Sequence, residues 1–427
     1  LVTKLRRIIL RYYNSIVNSI AFYPSIISVG FLMLAILLIT IDNDQVLKFL
    51  REYLPFLLVN NADTARTILS TIIGGVISLT VFSFSMVMIT LNQASSNFSP
   101  RLLPGLISEK NNQIVLGFYI GTIIFNILVL ISILPSGNSY NLNVLSVITG
   151  IILGIACLGF FIYFIQNISS SIQIDNLLLE VYKKSKKALL EEIKATEEYS
   201  DTRDPDHSSW NIISSQEAGY FQNNIDDSWD QLVEKYNRPI FILLHKGQFA
   251  QKHTEIISYK GAVNKELEEE LQNLCYFNDI HTLYQHYTKG FNQLTEIGLR
   301  AMSPGINDPA TATTTLNYLS TLFQLRMQIP DYKLSFAENS SVYLKEQNKS
   351  FGILFYNVFA QYRAYCKGNV ILMHKILNTY KYLLSQSAFE TSYLDVIKSE
   401  IKALKNDAEI SFKNERDFDY IIGHDKV

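Results

Sequence analysis

Charge is missing where it would be most informative. Four stretches, Ala21–Ile41, Ile68–Leu91, Ile114–Leu134 and Val144–Ile165, contain no Asp, Glu, Lys, Arg or His. Each has about 20 residues, the length that crosses a hydrocarbon core. Proton pumps and ion-coupled carriers usually need ionisable groups within the membrane, so the gap argues against both. A passive pore stays open, because hydroxyls and apolar side chains can line one. Cysteine is scarce: Cys157, Cys275 and Cys366 are scattered without metal-ligand spacing, which implies neither a disulfide framework nor a zinc site. A net charge of −2 gives no sign of a nucleic-acid partner. There is no Walker loop, dinucleotide fingerprint, Gly-x-Ser-x-Gly elbow, kinase set or His-Glu-x-x-His motif. Neither an enzyme nor a cofactor is expected.

What is present divides near residue 170. The mean hydropathy of +0.12 averages long apolar runs before that point with ordinary soluble composition after it. The pattern predicts an α-helical membrane protein with four transmembrane helices, plus a cytoplasmic α+β domain that is mainly helical. The expected segments are 1–168 (the spans), 169–210 (a juxtamembrane helix and linker), 211–262 (a small α+β unit) and 263–427 (mostly helical). Lys4, Arg6, Arg7 and Arg11 precede the first span, Arg101 and Lys110 follow the second, and Lys183, Lys184, Lys186 and Lys187 follow the fourth. The loop 135–143 has no charge. By the positive-inside rule both termini are cytoplasmic, in a bacterial inner membrane, and the basic start with its long apolar run reads as a retained anchor.

The second span carries a polar stripe. At about 100° per residue, Thr67, Ser70, Thr71, Gly74, Ser78 and Ser85 share a third of the circumference, with Asp63 and Asn92 extending the line. Val81 interrupts it, a candidate dewetting constriction if the face lines a pore. Lipid offers hydroxyls no partners, so the stripe is either a packing seam or the lining of an aqueous path. Gly117-x-x-x-Gly121 and Gly150-x-x-x-Gly154 predict close helix packing. Asn126, in the middle of the third span, is expected to make an interhelical hydrogen bond.

Beyond the second span the run Ala94-Ser95-Ser96-Asn97-Phe98-Ser99-Pro100-Arg101-Leu102-Leu103 leads to Asn112-Gln113-Ile114-Val115-Leu116-Gly117. With Gly219-Tyr220-Phe221-Gln222, His245-Lys246-Gly247-Gln248-Phe249 and Leu299-Arg300-Ala301-Met302-Ser303-Pro304-Gly305-Ile306-Asn307-Asp308-Pro309, it resembles a family of predicted bacterial membrane proteins. That family is catalogued as domain of unknown function two-two-five-four. The resemblance covers nearly the whole chain and implies no activity.

In the second half, Ser169 to about Ser200 predicts one helix with a basic, solvated face near headgroups. Strands are expected at Gly219–Gln222, Pro239–His245, Thr254–Tyr259 and Ser341–Lys345. Helices are expected at Asp226–Tyr236, Thr282–Met302, Asp308 to about Met327, Phe351–Tyr365, Asn369–Ser385 and Thr391–Asn406. The segment from Phe412 reads as charged and mobile. Ser303–Pro309 is expected to be a helix–loop–helix corner; the sharper alternative is a ligand or subunit contact using Arg300, Asn307 and Asp308, with Arg101 free to meet a phosphate or carboxylate. Two functions stay open. One is a homo-oligomeric ion channel or pore in the lipid bilayer, lined by Asp63, Thr67, Ser70, Thr71, Ser78, Val81, Ser85 and Asn92. The other is a membrane-anchored sensor or scaffold whose cytoplasmic domain binds a ligand or protein partner.

Overall fold

A computed structural model describes residues 21–40, 61–97, 110–133, 135–136, 139–140, 143–171, 173–197, 209–222, 227–278, 287–336 and 343–422. Two compact units divide the chain, Leu1–Leu177 and Leu178–Val427.

The first unit contains helices α1 (Phe22–Thr40), α2 (Ala62–Asn97), α3 (Lys110–Ser132) and α4 (Val144–Ser171). All four are long and apolar enough to cross a membrane. A two-stranded hairpin, β1 (Pro135–Ser136) and β2 (Ser139–Tyr140), joins α3 to α4. Capping chemistry sets the helix starts. Asn61 Oδ1 accepts the Asp63 amide at 2.8 Å, and Asn143 Oδ1 accepts the Ser146 amide at 3.3 Å. The Asn143 amide also donates to Leu38 O at 2.6 Å, tying the start of α4 to the end of α1. Arg66 donates to Ile133 O, tying the start of α2 to the end of α3.

The glycine pairs do what their spacing predicts. A Cβ on Gly117 would lie 2.9 Å from Ile27 Cδ1 and from Pro24 Cα, and one on Gly121 would lie 2.8 Å from the Phe31 ring. A Cβ on Gly154 would lie 2.8 Å from Ile72 of α2, and one on Gly150 would lie 3.1 Å from Leu69. Small residues thus let the helix backbones approach where lipid supplies no hydrophobic drive.

The boundary between the units falls within the first turn of α5 (Ile174–Glu197), most of which belongs to the second unit. The expected single helix from Ser169 is instead two, α4 ending at Ser171 and α5 starting at Ile174. Leu178, Val181, Ser185 and Leu189 form the buried face of α5. Five strands make a mixed sheet in the order β3 (Asn211–Ser214), β7 (Glu255–Tyr259), β5 (Ile240–Ile242), β10 (Tyr343–Gln347), β9 (Tyr332–Phe336). Only β10 and β5 pair in parallel, with Leu344 beside Ile240; the other pairs are antiparallel. A second small sheet has the order β6 (Phe249–Ala250), β4 (Gly219–Gln222), β8 (Tyr276–Asn278). The helices α6 (Asp227–Tyr236) and α7 (Lys265–Leu274) complete this part, whose core includes Trp229, Phe221, Ile257 and Leu344. Because β10, Leu267 and Leu271 join this core, part of segment 263–427 shares it with segment 211–262.

The remaining helices are α8 (Tyr287–Ala301), α9 (Pro309–Arg326), α10 (Phe351–Cys366), α11 (Val370–Leu384), α12 (Thr391–Ser411) and α13 (Glu415–Ile422). Their core is aromatic: Phe323 meets Phe291 at 4.6 Å, Phe355 at 4.9 Å and Phe359 at 5.4 Å between ring centroids. A polar node built on Arg326 lies among them. Arg326, fully buried, donates to Ile329 O at 2.5 Å, Lys349 O at 2.8 Å and Asp331 Oδ1 at 2.5 Å. Asp331 also accepts the Phe351 amide and the Tyr393 hydroxyl, each at 2.9 Å, so one carboxylate joins the ends of α9, α10 and α12.

Two expectations fail here. Within the segment after Phe412, whose residues 423–427 lie outside the described residues, Glu415–Ile422 is the helix α13, which packs on α11, burying Ile421 and bringing Tyr420 to 4.6 Å from the His374 ring. Its charges occupy one side while Phe418, Ile421 and Ile422 give it an apolar side. The strands β3, β6, β8 and β9 are absent from the expectations, being two to five residues long and defined by their partners rather than by alternation.

Candidate functional site

The face that α2 presents is the first candidate. Its buried residues are Ala62, Ala65, Leu69, Val76, Ser83 and Thr90. At about 100° per residue these lie opposite the polar stripe. Asp63, Thr67, Ser70, Thr71, Gly74, Ser78, Val81, Ser85 and Asn92 are all exposed. Among the described residues, therefore, the stripe is not the seam by which α2 packs within its own chain. Four of the five stripe hydroxyls bond to a carbonyl four residues back. Thr67 donates to Asp63 O, Thr71 to Thr67 O, Ser78 to Gly74 O and Ser85 to Val81 O, at 2.8 to 2.9 Å. Their oxygens keep free lone pairs on the outer side. Val81, 61 % exposed, and Phe82 form the apolar interval between Ser78 and Ser85. Asp63 stands 3.9 Å from Arg66, both partly solvated.

A second polar array lies inside the first unit. On α3, Asn112, Tyr119 and Asn126 recur every seven residues, and on α2 Ser83 and Thr90 do the same. All five are buried. Asn167 of α4 donates to Asn112 Oδ1 at 2.9 Å, and Cys157 Sγ lies 3.5 Å from Thr122 Oγ1. Asn126 corrects the sequence expectation: its amide donates to Thr122 O of its own helix at 2.8 Å, not to a neighbour. Gly150 packs against the other side of that amide, so close that a Cβ would overlap Oδ1. The Tyr119 hydroxyl faces Ser83. Thr90 Oγ1, Gln113 Oε1 and Asn126 Oδ1 are buried without a direct hydrogen bond to the described residues. Each such atom costs about 1–3 kcal/mol if left dry. The seven-residue spacing was the available sequence signal for this array; the outward stripe, being longer, draws attention from it.

The third candidate is the corner between α8 and α9. The Ile306 and Asn307 amides both donate to Ser303 O at 3.0 Å, and the Asp308 amide to Ala301 O at 2.7 Å. Asn307 adopts a left-handed conformation (φ 48°), which asparagine tolerates. Asp308 caps α9 with both carboxylate oxygens, accepting the Thr311 amide at 3.1 Å and the Thr311 hydroxyl at 2.6 Å. Pro309 occupies the first turn. The Thr311 hydroxyl, and after it backbone amides, hold the Asp308 carboxyl below its usual range against the opposing effect of burial. Arg300 is half-buried in the last turn of α8, so the structure brings Arg300, Asn307 and Asp308 to one corner. Arg101 lies outside the described residues.

The basic run on α5 is partly neutralised, Lys184 pairing with Glu180 and Lys187 lying 3.9 Å from Glu191. No group of three His, Cys, Asp or Glu among the described residues could hold a metal ion.

Four apolar helices with a polar outer face, followed by a unit with a mixed sheet and stacked helices, define a class: a membrane protein with four candidate spans and a folded second unit. The chain belongs to the family described as predicted membrane protein (DUF2254), which matches residues 17–382. It is similar to uncharacterized proteins of Mycobacterium bovis and Mycobacterium tuberculosis, at 23% identity over 271 residues, covering 60% of this chain and 51% of theirs. The chain thus spans about half the length of the curated relatives it matches. No solved structure matches it.

Proposed function

We propose that copies of this chain assemble in a bacterial cytoplasmic membrane around an axial path lined by α2, forming an ion-conducting pore framed by a cytoplasmic second unit. The observation that carries the reading is the exposure of the whole stripe from Asp63 to Asn92, opposite the face by which α2 packs. Along about 43 Å of helix, at about 1.5 Å per residue, it offers hydroxyl oxygens and no charge between Asp63 and Asn92 except Arg66, which turns to Ile133 O. Four spans in one copy enclose no path beside such a face, so several copies are required. The interval at Val81 and Phe82 is the constriction in this reading, where an apolar ring gates by dewetting.

A second reading rests on one specific feature. Hydroxyls that bond to the carbonyl four residues back are already satisfied, which lowers the penalty for facing lipid. In that case the spans are an anchor, and the second unit is a sensor or scaffold for a ligand or protein partner.

Ion flux through liposomes containing the purified full chain decides between them. The pore reading expects flux that Ser78→Leu and Ser85→Leu abolish and that Ser85→Asp shifts toward cations. Absence of flux, or flux indifferent to all three changes, sinks the pore and leaves the anchor.

A further inference from the structure

On the second unit, two neighbouring helices present a side without charge. Helix α10 carries a single charged residue, Arg363, and it turns to Glu400 and Asp407 of α12. The two helices lie side by side, since a Cβ on Gly352 would meet Val396 Cγ2 at 3.4 Å. At about 100° per residue, Ile353, Tyr356, Ala360 and Ala364 share the outer side of α10 nearest α12. Val396, Ala403 and Ile410 share the matching side of α12. Asp395, Lys398, Lys402 and Glu409 lie further round α12, away from α10. No described residue covers this neutral face: Ile353 is 60 %, Tyr356 55 % and Ile410 82 % exposed. A contiguous apolar patch on a folded unit marks a surface that meets a partner.

We propose that this face pairs with the same face of a second copy, α10 crossing α10 antiparallel about a two-fold axis near Ala360. Charge, size and shape select that occupant. A helix that lies on a membrane surface carries Lys or Arg beside its apolar face, and α10 has none free for that role. A neutral face meets its own copy without the like-charge repulsion that excludes wrong partners. The two helices offer an area about 24 Å long and about 20 Å wide. Pairing two such areas buries roughly 1,000 Å2, the lower bound for a specific interface. The bulk of α10 lies in its first half, at Ile353 and Tyr356, and its small residues, Ala360 and Ala364, in the second. An antiparallel crossing sets Tyr356 of one copy against Ala364 of the other, as a self-complementary two-fold contact requires. A parallel crossing sets Tyr356 against Tyr356 and alanine against alanine. The pairing shares with the proposed function the assembly of copies, and it is independent of whether the spans conduct.

Oxidative cysteine cross-linking of the full chain in liposomes tests this. Cys157, Cys275 and Cys366 are buried, so an introduced thiol reports its own surroundings. Ala360→Cys, near the axis, is expected to form a disulfide-linked dimer about ten-fold faster than Lys398→Cys on the charged side of α12, because pairing raises the effective concentration of its two thiols. Copies carrying Tyr356→Cys, mixed with copies carrying Ala364→Cys, should link to each other faster than either links to itself. Equal rates for Ala360→Cys and Lys398→Cys overturn the proposal. So does an Ala360→Cys thiol that is shielded from a soluble maleimide yet does not link two copies, which assigns the face to lipid or to the same chain. Self-linking of Tyr356→Cys that outpaces the mixed pair overturns the antiparallel crossing. Ser78→Leu should leave the linking rate unchanged. A linked dimer without ion flux keeps the pairing and removes the pore, and flux without a linked dimer does the reverse.

Discussion

Asp331→Ala is the substitution whose cost can be worked most fully from this structure. The carboxylate faces a guanidinium, that of Arg326, with no solvent exposure. Removing it leaves the buried charge to neutral partners such as Ile329 O and Lys349 O. Breaking one side of a buried ion pair costs about 3–5 kcal/mol. The Phe351 amide and the Tyr393 hydroxyl also lose an acceptor, each about 0.5–1.5 kcal/mol. Bonds in one network are not additive, so we take roughly 4 kcal/mol for the whole. In a unit of this size each kcal/mol moves the midpoint by about 2–4 °C, which makes the expected fall about 10 °C. Both tryptophans, Trp210 and Trp229, belong to the second unit, so their fluorescence reports its unfolding in the detergent-solubilised full chain. Arg326→Met added to Asp331→Ala should recover part of the loss by removing the stranded charge. A fall below about 2 °C, or a double variant no better than Asp331→Ala alone, would refute the ion-pair reasoning.

Gly298→Ala should destabilise the second unit by about 1–3 kcal/mol, because a Cβ there would overlap the Tyr362 hydroxyl and lie 2.6 Å from Thr315 Oγ1; Tyr362→Phe in the same chain should return part of it, as denaturant midpoints would show. Asp308→Ala removes the α9 cap and should cost about 1 kcal/mol near neutral pH. Since the folded-state carboxyl is held below its ordinary value, the cap's contribution is full above about pH 3.9 and is lost as pH falls through the lower folded value; the variant and the parent chain should converge in acid. Burial pushes the Cys366 thiol up to about 12, so a maleimide should modify it only after unfolding, and modification of the native chain at pH 8 would contradict its placement.

Much of the architecture could be read along the chain for local reasons. Uncharged runs mark α1 to α4. Pro309 after Asp308 marks the start of α9, and Asn369 the start of α11, where its side chain accepts the Leu372 amide at 3.0 Å. Gly219–Gln222 and the apolar run after Pro239 mark strands β4 and β5. Elements fixed by distant partners were not legible. Strand β9 is held by β10, and α13 by α11, which buries Ile421; neither has enough local patterning to announce itself against its charged neighbours.

The polar stripe shows the same division. Residue types at a period of about 3.6 determined that Thr67, Thr71, Ser78 and Ser85 share one face of a membrane-length helix, and that no charge interrupts the apolar core of any span. Which way that face points depends on the rotation of α2 about its axis. Only tertiary packing decides this: Ala62, Ala65, Leu69 and Val76 are buried in the unit, turning the stripe outward. The inner array is likewise tertiary, since Ser83, Tyr119 and Asn126 are ordinary span residues until the neighbouring helices bury them.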